Sequence, residues 1–207
     1  MIPTSESIQR SLARQVNHWE QAAIRLSQLD NLASGNAWHG IEHKLGLLLK
    51  NSLQGSVNEV IALATNLKKQ LESASDPTSL RTIKRNLLTL RDRYLKAEET
   101  IHFYTVAINS RTTTNLAALL RACDILCERS MTELLQPLGR SVPAVLTYVE
   151  KGVGASILKA GLRLWDGKIS PVAAIKVTQH NLLRPTAIIH ETGHQVAHIL
   201  NWNEELS

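Results

Sequence analysis

Aromatic residues are scarce in this chain of 207 residues, at 4% with a single phenylalanine, so its core has to be built from Leu, Ile, Val and Ala. Such a core suits helices packed on helices. Cysteine is almost absent as well. Cys123 and Cys127 stand four apart in a helical pattern, which reads as a pair of buried reduced thiols rather than a disulfide or a metal pair. There is no uninterrupted apolar run of about 18 residues, which excludes a membrane-spanning helix by length. The N-terminus, Met-Ile-Pro-Thr-Ser-Glu-Ser, lacks the charged-then-apolar order of a secretory leader. Together these absences lead us to expect a cytoplasmic protein without a membrane partner. The hydrophobic share of 43% supports a real core, and a formal charge of +5 reads as ordinary solubility.

What is present divides the chain near Gly139. Residues 1–139 read as a bundle of long antiparallel helices. Apolar residues recur at three- and four-residue steps over 6–32 and again over 37–53, with Ser34-Gly35-Asn36 as a break and Gly55-Ser56 as a bend or cap. Asp76-Pro77 is a helix start: the carboxylate can accept from free amides, and proline suits the first turn. From there Leu80, Ile83, Leu87, Leu90, Tyr94, Ala97, Ile101, Tyr104 and Ile108 form an unbroken heptad seam. The seam predicts a helix of about 30 residues packed lengthwise on a neighbour. That neighbour is either another helix of the same bundle, the favoured reading, or a second chain. Arg111 and the threonines after it read as a connection. Leu116, Leu119, Cys123, Leu126 and Leu134 mark the buried face of one more helix.

Residues 140–207 have a different texture. Glycines punctuate short apolar segments. Residues 161–165 read as a strand, Asp166-Gly167 as a turn and 171–178 as a second strand, while 143–150 reads as either strand or helix. Arg184-Pro185 then opens an apolar helix carrying His190-Glu191-Thr192-Gly193-His194. The expected fold class is α+β, mostly α: a long-helix bundle, then a small hairpin and a motif-bearing helix.

In H-E-x-x-H the two histidines sit at i and i+4 on one helical face, where both imidazoles can reach one cation, and the adjacent glutamate can act on water beside it. Gly193 weakens the helix by roughly 1 kcal/mol relative to alanine, a cost easier to understand if another backbone packs closely there. These residues resemble the zincin metallopeptidases over 140–207. The resemblance implies zinc (Zn2+) as cofactor, His190 and His194 as metal ligands, Glu191 as the catalytic base, and a peptide or protein substrate held along an edge strand, here 172–177. Ala197 and Leu200 stand where metzincins carry glycine and histidine, so the likeness is to the gluzincin branch. That branch takes a third ligand from a glutamate on a later helix. Glu204 and Glu205 are the local candidates, and otherwise the ligand lies outside this chain, which is then a fragment. His198 lies two turns beyond His190, roughly 12 Å along the axis, too far for one zinc to hold all three on a straight helix. Tyr148 is the candidate for an oxyanion-stabilising group.

A second pattern, His39-Gly40-Ile41-Glu42-His43, matches the H-x-x-E-H of inverted zincins, but it follows a helix break and has no sheet near it in sequence. His39 and His43 are expected to be ordinary helix residues. Arg81, Lys84, Arg85, Arg91, Arg93 and Lys96 form a basic helix face without aromatic interleaving or a base-reading module, which argues against nucleic acid. Two functions follow. The first is a zinc-dependent peptidase whose bundle positions partners or restricts access. The alternative is a helical interaction protein with an inactive or truncated metal site.

Overall fold

The computed structural model describes residues 5–74 and 76–202. Three long helices form the bundle: α1 (Ser5–Leu26), α3 (His43–Ser73) and α4 (Pro77–Asn109), with the short α2 (Gly35–His39) between the first two. Polar contacts fix their directions. Gln9 donates to the Leu71 carbonyl at 2.7 Å, Glu20 pairs with Lys68, and Asp30 pairs with Lys50. Position on α1 therefore rises as position on α3 falls, and the two run antiparallel. Asp76 caps α4 by accepting from the amides of Thr78 and Ser79 at 2.8 and 2.9 Å, with Pro77 in the first turn. These bonds, led by the Ser79 hydroxyl, hold the Asp76 carboxyl below its ordinary value. All nine residues of the predicted seam are buried, and the helix they define packs within the bundle.

Gly55-Ser56 does not bend the chain. Helix α3 runs straight through, because the two small residues are where the C-terminal half docks. The Ser56 hydroxyl donates to Asp166 at 2.5 Å, Lys168 pairs with Glu59 at 2.7 Å, and a Cβ on Gly55 would stand 3.2 Å from the Lys168 ammonium. The tract over 37–53, read as one helix, is instead interrupted at 40–42, between α2 and α3.

Helix α5 (Thr114–Leu135) is helical as expected, but its face is turned. Ala117, Leu120, Cys123, Asp124, Cys127, Met131 and Leu135 are buried, while Leu126 and Leu134 are exposed. The reason is that α5 packs on two elements at once, the sheet and the final helix, α6 (Pro185–Ile199).

The sheet has three strands, β1 (Ala144–Val149), β2 (Ser156–Leu158) and β3 (Val172–Val177), in the order β1-β3-β2. β1 runs parallel to β3 and β2 antiparallel to it. Three expectations are corrected here. Residues 161–165 are not a strand, since only Arg163 bridges to Ile169. The Asp166-Gly167 turn does form, with Gly167 at φ 84°, but it closes a loop-borne excursion rather than a hairpin of two strands. And 172–177 is the central strand, not an edge. One sheet face, with Leu146, Tyr148, Val172 and Ala174, joins the bundle core; the other, with Val145, Ala173, Ile175 and Val177, packs on α5 and α6. No described helix is long and apolar enough to cross a membrane.

Candidate active site

Helix α6 starts where proline permits and buries Ile188, Thr192, Gln195 and Val196. Residues 190 and 194 fall on the opposite side, by the 3.6-residue period. His190 and His194 are exposed, with ring centroids 4.8 Å apart and planes at 84°. The two imidazoles thus share one open face one turn apart. Glu191 lies on the flank between that face and the buried one; it is 9% exposed, and its carboxylate has no hydrogen-bond partner among the described residues.

The surrounding residues hold α6 in place. The Thr192 hydroxyl donates to the Ile188 carbonyl at 2.8 Å. On α5, burial pushes the Cys127 thiol up to about 12, against a Thr192 hydrogen bond that lowers it, so this thiol is inert. Gln195 is 1% exposed and grips Ala160 at both backbone groups, accepting from its N–H at 2.9 Å and donating to its carbonyl at 3.3 Å. That two-point contact ties the motif helix to the end of β2. Gly193 does not mark a close backbone approach: a Cβ there would meet nothing within 4 Å. The glycine that does matter is Gly161, at φ 89°, where a Cβ would lie 3.6 Å from the His198 Nε2.

The remaining candidates fall elsewhere. Tyr148 is on the sheet face away from α6, buried against Phe103 at 5.8 Å between ring centroids, and burial holds its phenol at about 12. It is not at the site. His39 ends α2, whereas His43 begins α3, so the pair does not share one helix. Glu42 between them serves as the α3 N-cap, accepting from the Leu45 amide at 3.0 Å. Glu204 and Glu205 lie outside the described residues. Among the described residues no group of three or more His, Cys, Asp or Glu side chains is placed to hold a metal ion.

The two outer edges of the sheet differ. On β1 the Val145 N–H donates to Glu128 at 3.2 Å and the Thr147 N–H to Asp124 at 2.7 Å. Arg111, fully buried, donates to the Thr147 carbonyl at 2.7 Å, to Asp124 at 2.9 Å and to the Gly40 carbonyl at 3.3 Å. Side chains from α5 and the α4–α5 connection thus take the place of a missing strand. Burial pushes the Asp124 carboxyl up, and Arg111 with the Thr147 donors opposes it. The sequence reading missed this cluster. Its signal was an aspartate on the apolar arc of α5, between Leu120 and Cys127. Because Val145 and Thr147 face outward, strand alternation and the observed registers turn 173, 175 and 177 toward β1 and 172, 174 and 176 toward β2. The Ile157 N–H and carbonyl then point away from the sheet. Beside α6, β2 is an open antiparallel edge.

No protein-family model matches the chain, and neither a curated protein nor a solved structure matches it.

Proposed function

We propose that the exposed face of α6 is the site of a zinc-dependent peptidase. One observation carries this reading: two imidazoles 4.8 Å apart on one face, with Glu191 on the flank of that face and its carboxylate not bonded to any described residue. The donor set fits zinc in kind, since His190 and His194 supply two nitrogens of the type zinc prefers. A third protein donor is not among the described residues. Bound zinc supplies Lewis acidity toward the scissile carbonyl and toward water. The chain's own residues do the rest. His190 and His194 would hold the metal, and Glu191 would accept the proton of the attacking water and pass it to the leaving amine. The β2 edge, through the Ile157 N–H and carbonyl, holds an extended peptide alongside α6, a role this reading moves from β3 to β2. Gln195 keeps that edge and the motif helix at a set separation. The two cysteines are buried and unbonded, which fits a cytoplasmic setting.

The test is metal content and cleavage of unfolded casein together. Stoichiometric zinc that is lost in His190→Ala, with casein cleavage abolished in Glu191→Gln while zinc stays bound, is the expected result. A purified protein that takes up no zinc from a zinc-containing buffer sinks the proposal. A second reading, a helical interaction protein, draws on the outer face of α4.

A further inference from the structure

We infer that the outer face of α4 is a self-complementary surface on which a second copy of this chain docks antiparallel. The inner face of α4 is fully engaged: the seam from Leu80 to Ile108 is buried inside the bundle. The outer face carries a separate pattern. Leu88 is 61% exposed and Leu95 43% exposed, seven residues and roughly 10 Å apart on the same side. Around them acidic residues are confined to the C-terminal half of the face, where Lys96 also stands, paired with Asp92, and Arg93 lies to one side. Lys84, Arg85 and Arg91 stand toward the N-terminal end, and Asp92, Glu98 and Glu99 toward the C-terminal end, all of them exposed.

Turning a second α4 about a two-fold axis that passes between residues 91 and 92 gives a consistent set of oppositions. Leu88 meets Leu95, Lys84 meets Glu99, Arg85 meets Glu98, and Arg91 meets Asp92. Each opposition occurs twice by symmetry, so four leucines and six ion pairs come together. Arg81 falls opposite His102, and Lys96 at the margin of the face falls opposite Leu87; neither opposition is complementary. A closed two-fold interface is the commonest way for a chain to associate with itself, and it requires this kind of self-matching surface. Lys84, Arg85, Arg91 and Glu99 make no ion pair among the described residues and are free to form these contacts. Asp92 already holds Lys96 at 2.8 Å, and Glu98 accepts from the Tyr94 hydroxyl at 2.9 Å, so each has one oxygen left for the partner. A nucleic acid would use the cations but leave the leucines idle, and the face offers no exposed aromatic ring for stacking. This inference stands apart from the peptidase reading and does not depend on zinc.

Sedimentation equilibrium of the full chain tests it. The wild type is expected to dimerise at about 100 µM or below, more weakly as salt rises. K84E/R85E makes both ends of the interface acidic, and E98K/E99K makes both ends basic. Each variant alone should weaken the dimer by about tenfold or more, with far-UV circular dichroism unchanged because every altered residue is exposed. Mixed together, the two variants should form a dimer of one copy each, since every reversed charge then meets its opposite. Leu95→Lys should also weaken association by itself. A wild type that stays monomeric at about 1 mM overturns the inference. So does a dimer indifferent to both double variants, or a mixture that forms no one-to-one dimer.

Discussion

The two edges of the small sheet solve the same chemical problem in opposite ways. At β1 the outward amides and carbonyl are bonded to Glu128, Asp124 and Arg111, all carried by segments far from the strand in sequence. At β2 the outward groups of Ile157 pair with no other strand, three residues before Ala160, which Gln195 grips. An exposed edge is a template for another extended chain. One edge is closed with buried charges, while the other lies next to α6 and is tied to it by Gln195. The closed edge belongs to stability, the open one to the proposed activity.

Asp124→Ala attacks the closed edge most directly. It leaves the Arg111 guanidinium buried without its counter-ion and the Thr147 amide without an acceptor, so a loss of about 3–5 kcal/mol in urea unfolding is expected. The double replacement Arg111→Met with Asp124→Leu should recover part of that loss, because no uncompensated charge remains. Gly40→Ala strikes the same edge from behind. Its Cβ would stand 2.9 Å from the Arg111 Cβ and 3.0 Å from the Arg111 carbonyl oxygen, both in the wall of the cluster. About 1–3 kcal/mol of destabilisation should follow, read by the same unfolding curve. On the open side, Gln195→Ala removes both partners of Ala160 and should cost about 1–2 kcal/mol. Amide exchange at residues 156–160 should speed up while β1 stays protected.

Alkaline titration separates the two sides again. Burial holds the phenols of Tyr104 and Tyr148 at about 12, against an ordinary value of 10.0. A group whose folded value is raised contributes stability that is present below its unfolded value and lost as pH climbs toward the folded one. Stability should therefore fall between pH 10 and 12, with phenolate absorbance rising in step with unfolding. Both phenols lie on the bundle side of the sheet, and Tyr148→Phe should lessen the slope. The smallest effect is of opposite sign. Gly193→Ala places a methyl in open space on a helix and should stabilise by about 0.5–1 kcal/mol, read by urea unfolding.

Much of the bundle was legible in advance. The α4 seam repeats without a miss, and only one helical face can bury it; Asp76-Pro77 marks a helix start through the Asp76 cap bonds, and Pro185 marks one through its fixed φ in the first turn. Helix α5 was misread because leucines and alanines surround most of its circumference, and local pattern cannot choose among such arcs. The choice was made by Arg111 and the sheet, both distant in sequence. Strand β2 is three residues long and carries no periodic signal, whereas 161–165 does and is not a strand. At the site, the pairing of His190 with His194 and the flanking place of Glu191 follow from helical spacing. The fate of Glu42 as a cap and of Tyr148 as a core residue does not.

Spacing along the chain thus settles whatever is decided within about one helical turn: where helices begin, which side of α4 is greasy, and that two imidazoles stand together. Which strand is central, which edge is sealed and what Glu191 looks out upon depend on groups tens of residues apart finding each other. The physical reason is that a hydrogen-bonded turn is a local event, whereas burial of a charge such as Arg111 is permitted only once Gly40, Asp124 and Thr147 have all arrived around it.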